Sequence, residues 1–299
     1  MNLSLAQLRT FLEIAQGRSF RQTAEKLSLT QPAVSAQIRT LETELGAPLF
    51  YRQQVALTPA GNTFLPFARQ IVALAEDSHQ AVNDTLGSSK RSIVLGTSSC
   101  VATAILPRLI RYFQNDHPDV RITVHTLQED RLWQGMSKRD LDCAIHYGPV
   151  PPFINKEKWE QYLLYTDTLT LIAPIEHPIA KASYFPLEQL SDTPLISLTP
   201  ETPERKVIDR LLHERNQSVE TTVELSSVEE VKRMVHQGLG MALIPRISLD
   251  PPSDTGIRAL RIPTLQNQIP VTLLRLAGRY RSHLMERFLA DIRGVYPSS

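Results

Sequence analysis

Apolar residues recur every three to four positions from Leu5 to Gln16, where Leu5, Leu8, Leu12 and Ala15 share a face with Phe11 beside them; this spacing predicts an amphipathic helix. Ser19 can cap a second helix, Phe20 to Leu27, in which Phe20, Ala24 and Leu27 keep the same period. A tight Ser28-Leu29-Thr30 turn leads to a third helix near Gln31-Pro32, since a first-turn proline gives up an N–H that has no intrahelical acceptor. Its buried stripe is Val34, Ile38, Leu41 and Leu45, and Gly46 stops it by taking the left-handed conformation. The polar stretch Tyr51 to Leu57 suits two small strands of a wing. Thr58 to Leu86 then reads as one long helix. Phe64, Phe67, Ile71, Leu74, Ser78, Ala81 and Thr85 alternate spacings of three and four along it, the seam of a short coiled coil, so a homodimer is expected. A helix packed only on its own domain is the alternative.

Gly87 to Arg91 has linker composition, and beyond it short apolar runs alternate with amphipathic helices. Strands are expected at Ile93 to Gly96, Val120 to Leu127, Leu141 to Tyr147, Leu169 to Ala173, Leu195 to Leu198, Val223 to Leu225, Met241 to Ile244 and Val271 to Arg275. Helices fall between them at Leu106 to Phe113, Leu132 to Lys138, Glu204 to Arg215 and Val228 to Gln237, with a last one at His283 to Arg293. Such alternation implies an α/β architecture with mostly parallel sheets.

At 299 residues the chain is long enough for two domains. Its 42% apolar and 21% charged content is ordinary globular usage. A net charge of +1 gives no global attraction to nucleic acid, so DNA contact must come from a local cluster of donors. No apolar run is long enough to span a bilayer and the N-terminus lacks the layout of a secretory signal, so a cytoplasmic protein with no membrane partner is expected. Cys100 and Cys143 fit neither a disulfide framework nor metal-ligand spacing. No nucleophile elbow, zinc motif or phosphate loop occurs, and no catalytic residue, metal or cofactor is assigned.

The third helix carries the most pointed chemistry. Opposite its core stripe lie Pro32, Ser35, Ala36, Arg39 and Thr43, with Gln31 at the tip, small or hydrogen-bonding groups that suit the major groove of double-stranded DNA. Arg39 can bind phosphate or guanine, Gln31 adenine, and Ser35 either base or phosphate. An ordinary three-helix bundle with a solvated face has the same periodicity. The whole stretch Leu8 to Gly61 decides between them: Ser19-Phe20, Ala24, Leu27, Gln31-Pro32-Ala33-Val34-Ser35, Ile38, Leu41-Glu42, Leu45-Gly46, Leu49-Phe50, Arg52 and Leu57-Thr58-Pro59-Ala60-Gly61 resemble the LysR-type transcriptional regulators. Looser matches continue through Leu106-Pro107, His117-Pro118, Leu141-Asp142, His177-Pro178 and Gly238 to Pro245.

The resemblance implies a winged helix-turn-helix over residues 1–59, a dimerising linker helix over 60–87 and an effector-binding domain over 88–299. It implies two α/β lobes like those of periplasmic binding proteins, lobe I about 91–163 with 268–299 and lobe II about 164–267. DNA contacts are then expected from Gln31, Pro32, Ser35, Arg39 and Arg52, and dimer contacts from Phe64, Phe67, Ile71 and Leu74. The expected partners are a DNA operator, a small polar metabolite and further copies of the chain as homodimer or homotetramer, with RNA polymerase a further candidate. Two positions depart from the family pattern: the wing after Arg52 is short and has no further basic residue, and Ala36 stands where many members have arginine. Each lost phosphate contact removes a counterion-release contribution, so half-site affinity is expected to be modest.

In open α/β sheets ligands bind beyond the carboxyl ends of strands. Here those ends offer Ser98, Ser99 and Cys100, then Glu129, then His146, and across the cleft Thr199 and Arg246. The resemblance places effector contacts at Ser98, Ser99, Glu129 and His146. Each residue has a plainer reading: the serines cap a helix, Glu129 complements a helix dipole, His146 ends a strand, and Cys100 is a small packing residue and not a redox sensor. An ionised Glu129 would repel an anion, so a neutral or cationic ligand is expected unless Arg131, Arg246 or protonated His146 offsets it. The competing reading is a solute-binding-like protein or enzyme whose N-terminal helices serve assembly only.

Overall fold

A computed structural model describes residues 2–17, 19–51, 53–86, 92–154, 157–250, 252–266 and 268–295, with positions 293 and 294 as backbone alone. The linker at 87–91 and Arg52 lie outside these residues. The chain divides into two compact units, one running to Ser89 with Arg279–Ser282, the other from Lys90 to Gly278 with His283 onward. Among the described residues no helix is long and apolar enough to cross a membrane, and no cluster of His, Cys, Asp and Glu could hold a metal ion.

The first unit contains α1 (Leu5–Gly17), α2 (Phe20–Lys26), α3 (Gln31–Leu45), the hairpin strands β1 (Phe50–Tyr51) and β2 (Ala56–Leu57), and α4 (Pro59–Thr85). The starts of α2, α3 and α4 are each fixed by a hydroxyl that accepts a backbone N–H: Ser19 from Gln22, Thr30 from Ala33, Thr58 from Gly61. Gly46 ends α3 at φ 69°, in the left-handed region. Leu8, Phe11, Val34, Ile38 and Leu41 form the core, which Phe50 closes with its ring 5.3 Å from that of Phe11.

In the second unit, lobe I is a five-stranded sheet of β3 (Ser92–Thr97), β4 (Arg121–Thr126), β5 (Cys143–Tyr147), β6 (Trp159–Asp167) and β12 (Ile269–Leu276), in the order β4-β3-β5-β12-β6. Around it lie α5 (Ser99–Ala104), α6 (Leu106–Asp116), α7 (Glu129–Ser137) and α10 (His283–Val295). Lobe II holds β7 (Leu169–Pro174), β8 (Leu195–Leu198), β9 (Thr221–Leu225), β10 (Ala242–Pro245) and β11 (Ile257–Leu260), with α8 (Pro203–His213) and α9 (Val228–His236). Its β10-β7-β11 and β8-β9 sheets are joined where the Ile196 N–H donates to the Met241 carbonyl at 2.8 Å.

The sheets are mixed, which corrects the expectation of mostly parallel pairing. β3 pairs in parallel with β4 and β5, but β12 runs antiparallel to β5 and β6, and β7 antiparallel to β10 and β11. The reason is connectivity: the chain passes between lobes directly from β6 to β7 and, through only a short 3-10 turn at Pro263–Leu265, from β11 to β12, with no α-helix in either passage to return it. β6 and β11 are the two strands that the hydrophobic pattern does not announce. A register shift in β12 at Val271/Thr272 and the charged ends Glu160 and Asp167 break the alternation of β6. Glu160 pairs with the buried Arg275 at 3.3 Å, so its charge faces a partner and not water.

Candidate nucleic-acid interface and ligand cleft

With Val34, Ile38 and Leu41 turned inward, α3 exposes Gln31, Pro32, Ala36, Arg39, Thr40 and Thr43. Ser35 is half-buried and, with Gln31 and Arg21, lines a hollow of about 400 Å³ between α2, α3 and the wing. Among the described residues the Arg39 guanidinium makes no contact with a protein acceptor, so it is available to an external anion. The wing is held to α3 by Glu42, whose carboxylate accepts the Leu49 N–H at 2.8 Å and the Phe50 N–H at 3.4 Å. Arg52, the remaining expected DNA contact, lies outside the described residues.

On α4 the expected seam separates into two faces. Phe64 is half-buried with its ring 5.4 Å from Phe11, so it packs on its own domain. Phe67, Ile71 and Leu74 are 56%, 39% and 69% exposed, and the stripe they form continues through Ser78 and Val82. Ala68 and Val72 face the domain core.

The cleft between the lobes holds two chambers that share Pro203. The first, about 200 Å³, brings together Ser98, Ser99, Cys100 and Thr199 with Thr202, Ser227 and Glu204. The second, about 370 Å³, is lined by Glu129, His146, Lys206 and Arg210. Ser98 caps α5 by accepting the Val101 N–H and donates its own proton to Glu204 Oε1 at 2.6 Å. Glu129 accepts from Lys206 Nζ at 2.7 Å. Burial pushes the Glu129 carboxyl up, but Lys206 outweighs it and the net shift is down. His146 is buried beside Trp133, its Nε2 is 3.3 Å from the Pro149 carbonyl, and its Nδ1 has no protein partner. Burial lowers its pKa against the opposing pull of Glu129, which favours the uncharged ring.

Two expected residues stand differently. Arg246 follows β10, its N–H bonds the Thr168 carbonyl at 2.8 Å, and it lines neither chamber. Cys100 borders the first chamber, yet its thiol is buried against Ile172, Ile196 and Val228. Burial, followed by the charges of Glu204 and Asp167, pushes that thiol well up, opposite to the shift a reactive cysteine needs. The residues that sequence reasoning missed are Glu204 and Lys206. Both read as ordinary polar positions in the first turn of a helix, and only the approach of α8 to lobe I gives them partners.

Against family models, residues 5–62 match a bacterial regulatory helix-turn-helix of the lysR family, and residues 87–296 match the LysR substrate binding domain. The chain belongs to the LysR family. It is a transcriptional regulator of that family, with a helix-turn-helix DNA-binding domain and an effector-binding domain, and its relatives are regulators, not enzymes. A probable RuBisCO transcriptional regulator of Synechocystis is 30% identical over 297 residues, covering 97% of this chain and 85% of the relative. One from Cyanidioschyzon merolae is 34% identical over 250 residues, covering 81% of each. Full-length OxyR of Pseudomonas aeruginosa shares the fold at TM-score 0.71 and 22% identity, over 98% of this chain and 95% of that one. CbnR in complex with its target DNA superposes at TM-score 0.60 and 19% identity, over 98% and 100%.

Proposed function

We propose that this LysR-family regulator binds a double-stranded operator through Gln31, Pro32, Ser35 and Arg39 of α3, with Arg52 of the wing, and that a small polar metabolite in the interlobe cleft modulates it. The observation that carries the DNA reading is α3 itself: a fully packed inner face, a solvent face of small and hydrogen-bonding groups, and an Arg39 with no protein partner among the described residues. The domains on this reading are 1–59, 60–87 and 88–299, and the protein acts in the cytoplasm, with RNA polymerase as a further partner. The operator is to be mapped by genome-wide footprinting of the full-length protein. On that operator Arg39→Ala is expected to cost roughly 1 to 3 kcal/mol if Arg39 reads a base, and to flatten the salt slope if it holds phosphate. Unchanged affinity and slope in the folded variant would remove Arg39 from the interface.

The assembled form is a homodimer, or a tetramer built from it, with Phe67, Ile71 and Leu74 meeting their counterparts and Phe64 bracing the helix from inside. Fully covering a side chain of this size is worth about 1.5 to 3 kcal/mol, and a carboxylate in mid-stripe removes one such contribution and adds a desolvation cost. Ile71→Asp in the full chain is therefore expected to sediment as a monomer at concentrations where the wild type is a dimer. An intact dimer would show that α4 does not hold the assembly.

The cleft reading rests on Ser98, Ser99 and Thr199 lining one chamber and Glu129 and His146 the other, the two sharing Pro203, with the unpartnered Nδ1 of His146 buried in the second.

A further inference from the structure

Glu204 sits in the first turn of α8 and is 3% exposed. Among the described residues no lysine, arginine or histidine pairs with it, although the two residues that follow it, Arg205 and Lys206, are both basic. Arg205 is turned to Ser197 Oγ at 2.7 Å, the Leu198 carbonyl at 2.8 Å and Asp209 at 2.6 Å. Lys206 is committed to Glu129 at 2.7 Å. The charge of Glu129, which the sequence presents as the arbiter of ligand charge, is therefore already balanced, and the unbalanced carboxylate of the cleft is Glu204. The chamber it lines is rich in hydroxyls, from Ser98, Ser99, Thr199, Thr202, Ser226 and Ser227, and among the described residues its lining contains no basic side chain. A serine hydroxyl has one proton to give, and Ser98 gives it to Glu204 at 2.6 Å. No proton of Ser98 is left for a ligand acceptor.

On the reading of the cleft as the effector site, we propose that Glu204 is the specificity-determining residue of the first chamber, occupying Ser98 as a tethered carboxylate so that the chamber refuses small carboxylates and takes neutral ligands that donate hydrogen bonds. A ligand amide or hydroxyl can donate to the Glu204 carboxylate and accept from the surrounding hydroxyls. A ligand carboxylate can accept from those hydroxyls but has no proton to donate to Glu204, and it meets the charge of that side chain. Like unit charges about 4 Å apart repel by an amount equal to about fivefold in affinity in water and several hundredfold at an effective dielectric of about 20. Burial also pushes the Glu204 carboxyl upward, against the Ser98 hydrogen bond, as expected of a charge with no cation beside it.

The test is calorimetric titration of the full-length protein with two isosteric pairs, succinate against succinamide and benzoate against benzamide, at about pH 7 and about pH 9, the higher pH favouring the ionised carboxyl. Wild type is expected to bind each amide about tenfold or more tighter than its carboxylate, a comparison that needs no variant. Glu204→Gln, and Glu204→Leu should the first fail to fold, are expected to raise carboxylate affinity by about tenfold or more. Wild type binding the carboxylates as tightly as the amides, or folded variants with unchanged carboxylate affinity, would overturn the role of Glu204 and leave the cleft reading standing. No heat from any probe with any of these proteins at millimolar concentration would overturn the reading of the cleft and the inference together.

Discussion

Gly61→Ala is expected to destabilise the DNA-binding unit by about 3 kcal/mol or more, although glycine to alanine inside a helix ordinarily stabilises by about 1 kcal/mol. The sign is reversed by one close approach. A Cβ on Gly61 would stand 2.2 Å from the Leu49 carbonyl oxygen and 3.0 Å from Leu57 Cδ2. That oxygen has no freedom to retreat, because it accepts the Thr58 N–H at 2.9 Å, and the Thr58 hydroxyl donates to the Pro48 carbonyl at 2.6 Å. The start of α4 and the chain entering the wing are thus pinned together, and α3 holds the same segment through Glu42. An added methyl must lift α4 off the wing, breaking the cap and the packing of Phe64 behind it. Gly17→Ala is the control, since its Cβ would meet only Gln22 Oε1, at 3.9 Å. Thermal denaturation followed by circular dichroism is the measurement: an early transition in Gly61→Ala alone is expected, and equal midpoints would show that the contact relaxes freely.

The first unit was legible in its sequence because its signals are local and agree with one another. Ser19, Thr30, Thr58 and Gly46 mark helix ends by side-chain chemistry, and the apolar period marks the faces between them. Phe64 escaped that reading because a periodic stripe shows which residues share a face without showing what the face meets. In the second unit the strands with a continuous apolar run were plain, whereas β6 and β11 depend on pairing with β12 and β7, residues far along the chain. The cleft followed the same rule. Ser98, Ser99, Glu129 and His146 could be nominated from strand ends, but the ion pair that balances Glu129 and the carboxylate that occupies Ser98 both come from α8, more than seventy residues away from Glu129 and more than a hundred from Ser98. Sequence position gives chemistry to a strand end, and only tertiary approach gives it a charge balance.

That balance also makes a pH dependence at the crossing between lobes. Asp167 ends β6 just before the chain enters lobe II; its Oδ2 accepts the Tyr147 hydroxyl of lobe I and its Oδ1 accepts the Ile247 N–H of lobe II, both at 3.0 Å. Burial raises its pKa to about 6, against the opposing hydrogen bonds from Thr168, Tyr147 and Ile247 and the charge of Arg246. The folded state therefore holds this proton more tightly than the unfolded chain, whose value is 3.8. The stabilisation is fully present below the unfolded value and is lost as pH rises through about 6. A shift of roughly two units is worth about 3 kcal/mol between those limits. Glu129, shifted down, works the other way, losing its contribution as pH falls, so the total curve of the wild type mixes the two. Asp167→Asn isolates one of them: the amide stays neutral throughout and its oxygen can still accept at the crossing. Urea unfolding at a series of pH values is expected to show the variant gaining on wild type by about 3 kcal/mol between about pH 4 and pH 7. Parallel curves over that interval would mean that Asp167 titrates alike in the folded and unfolded chain, and that its burial at the crossing carries no electrostatic cost.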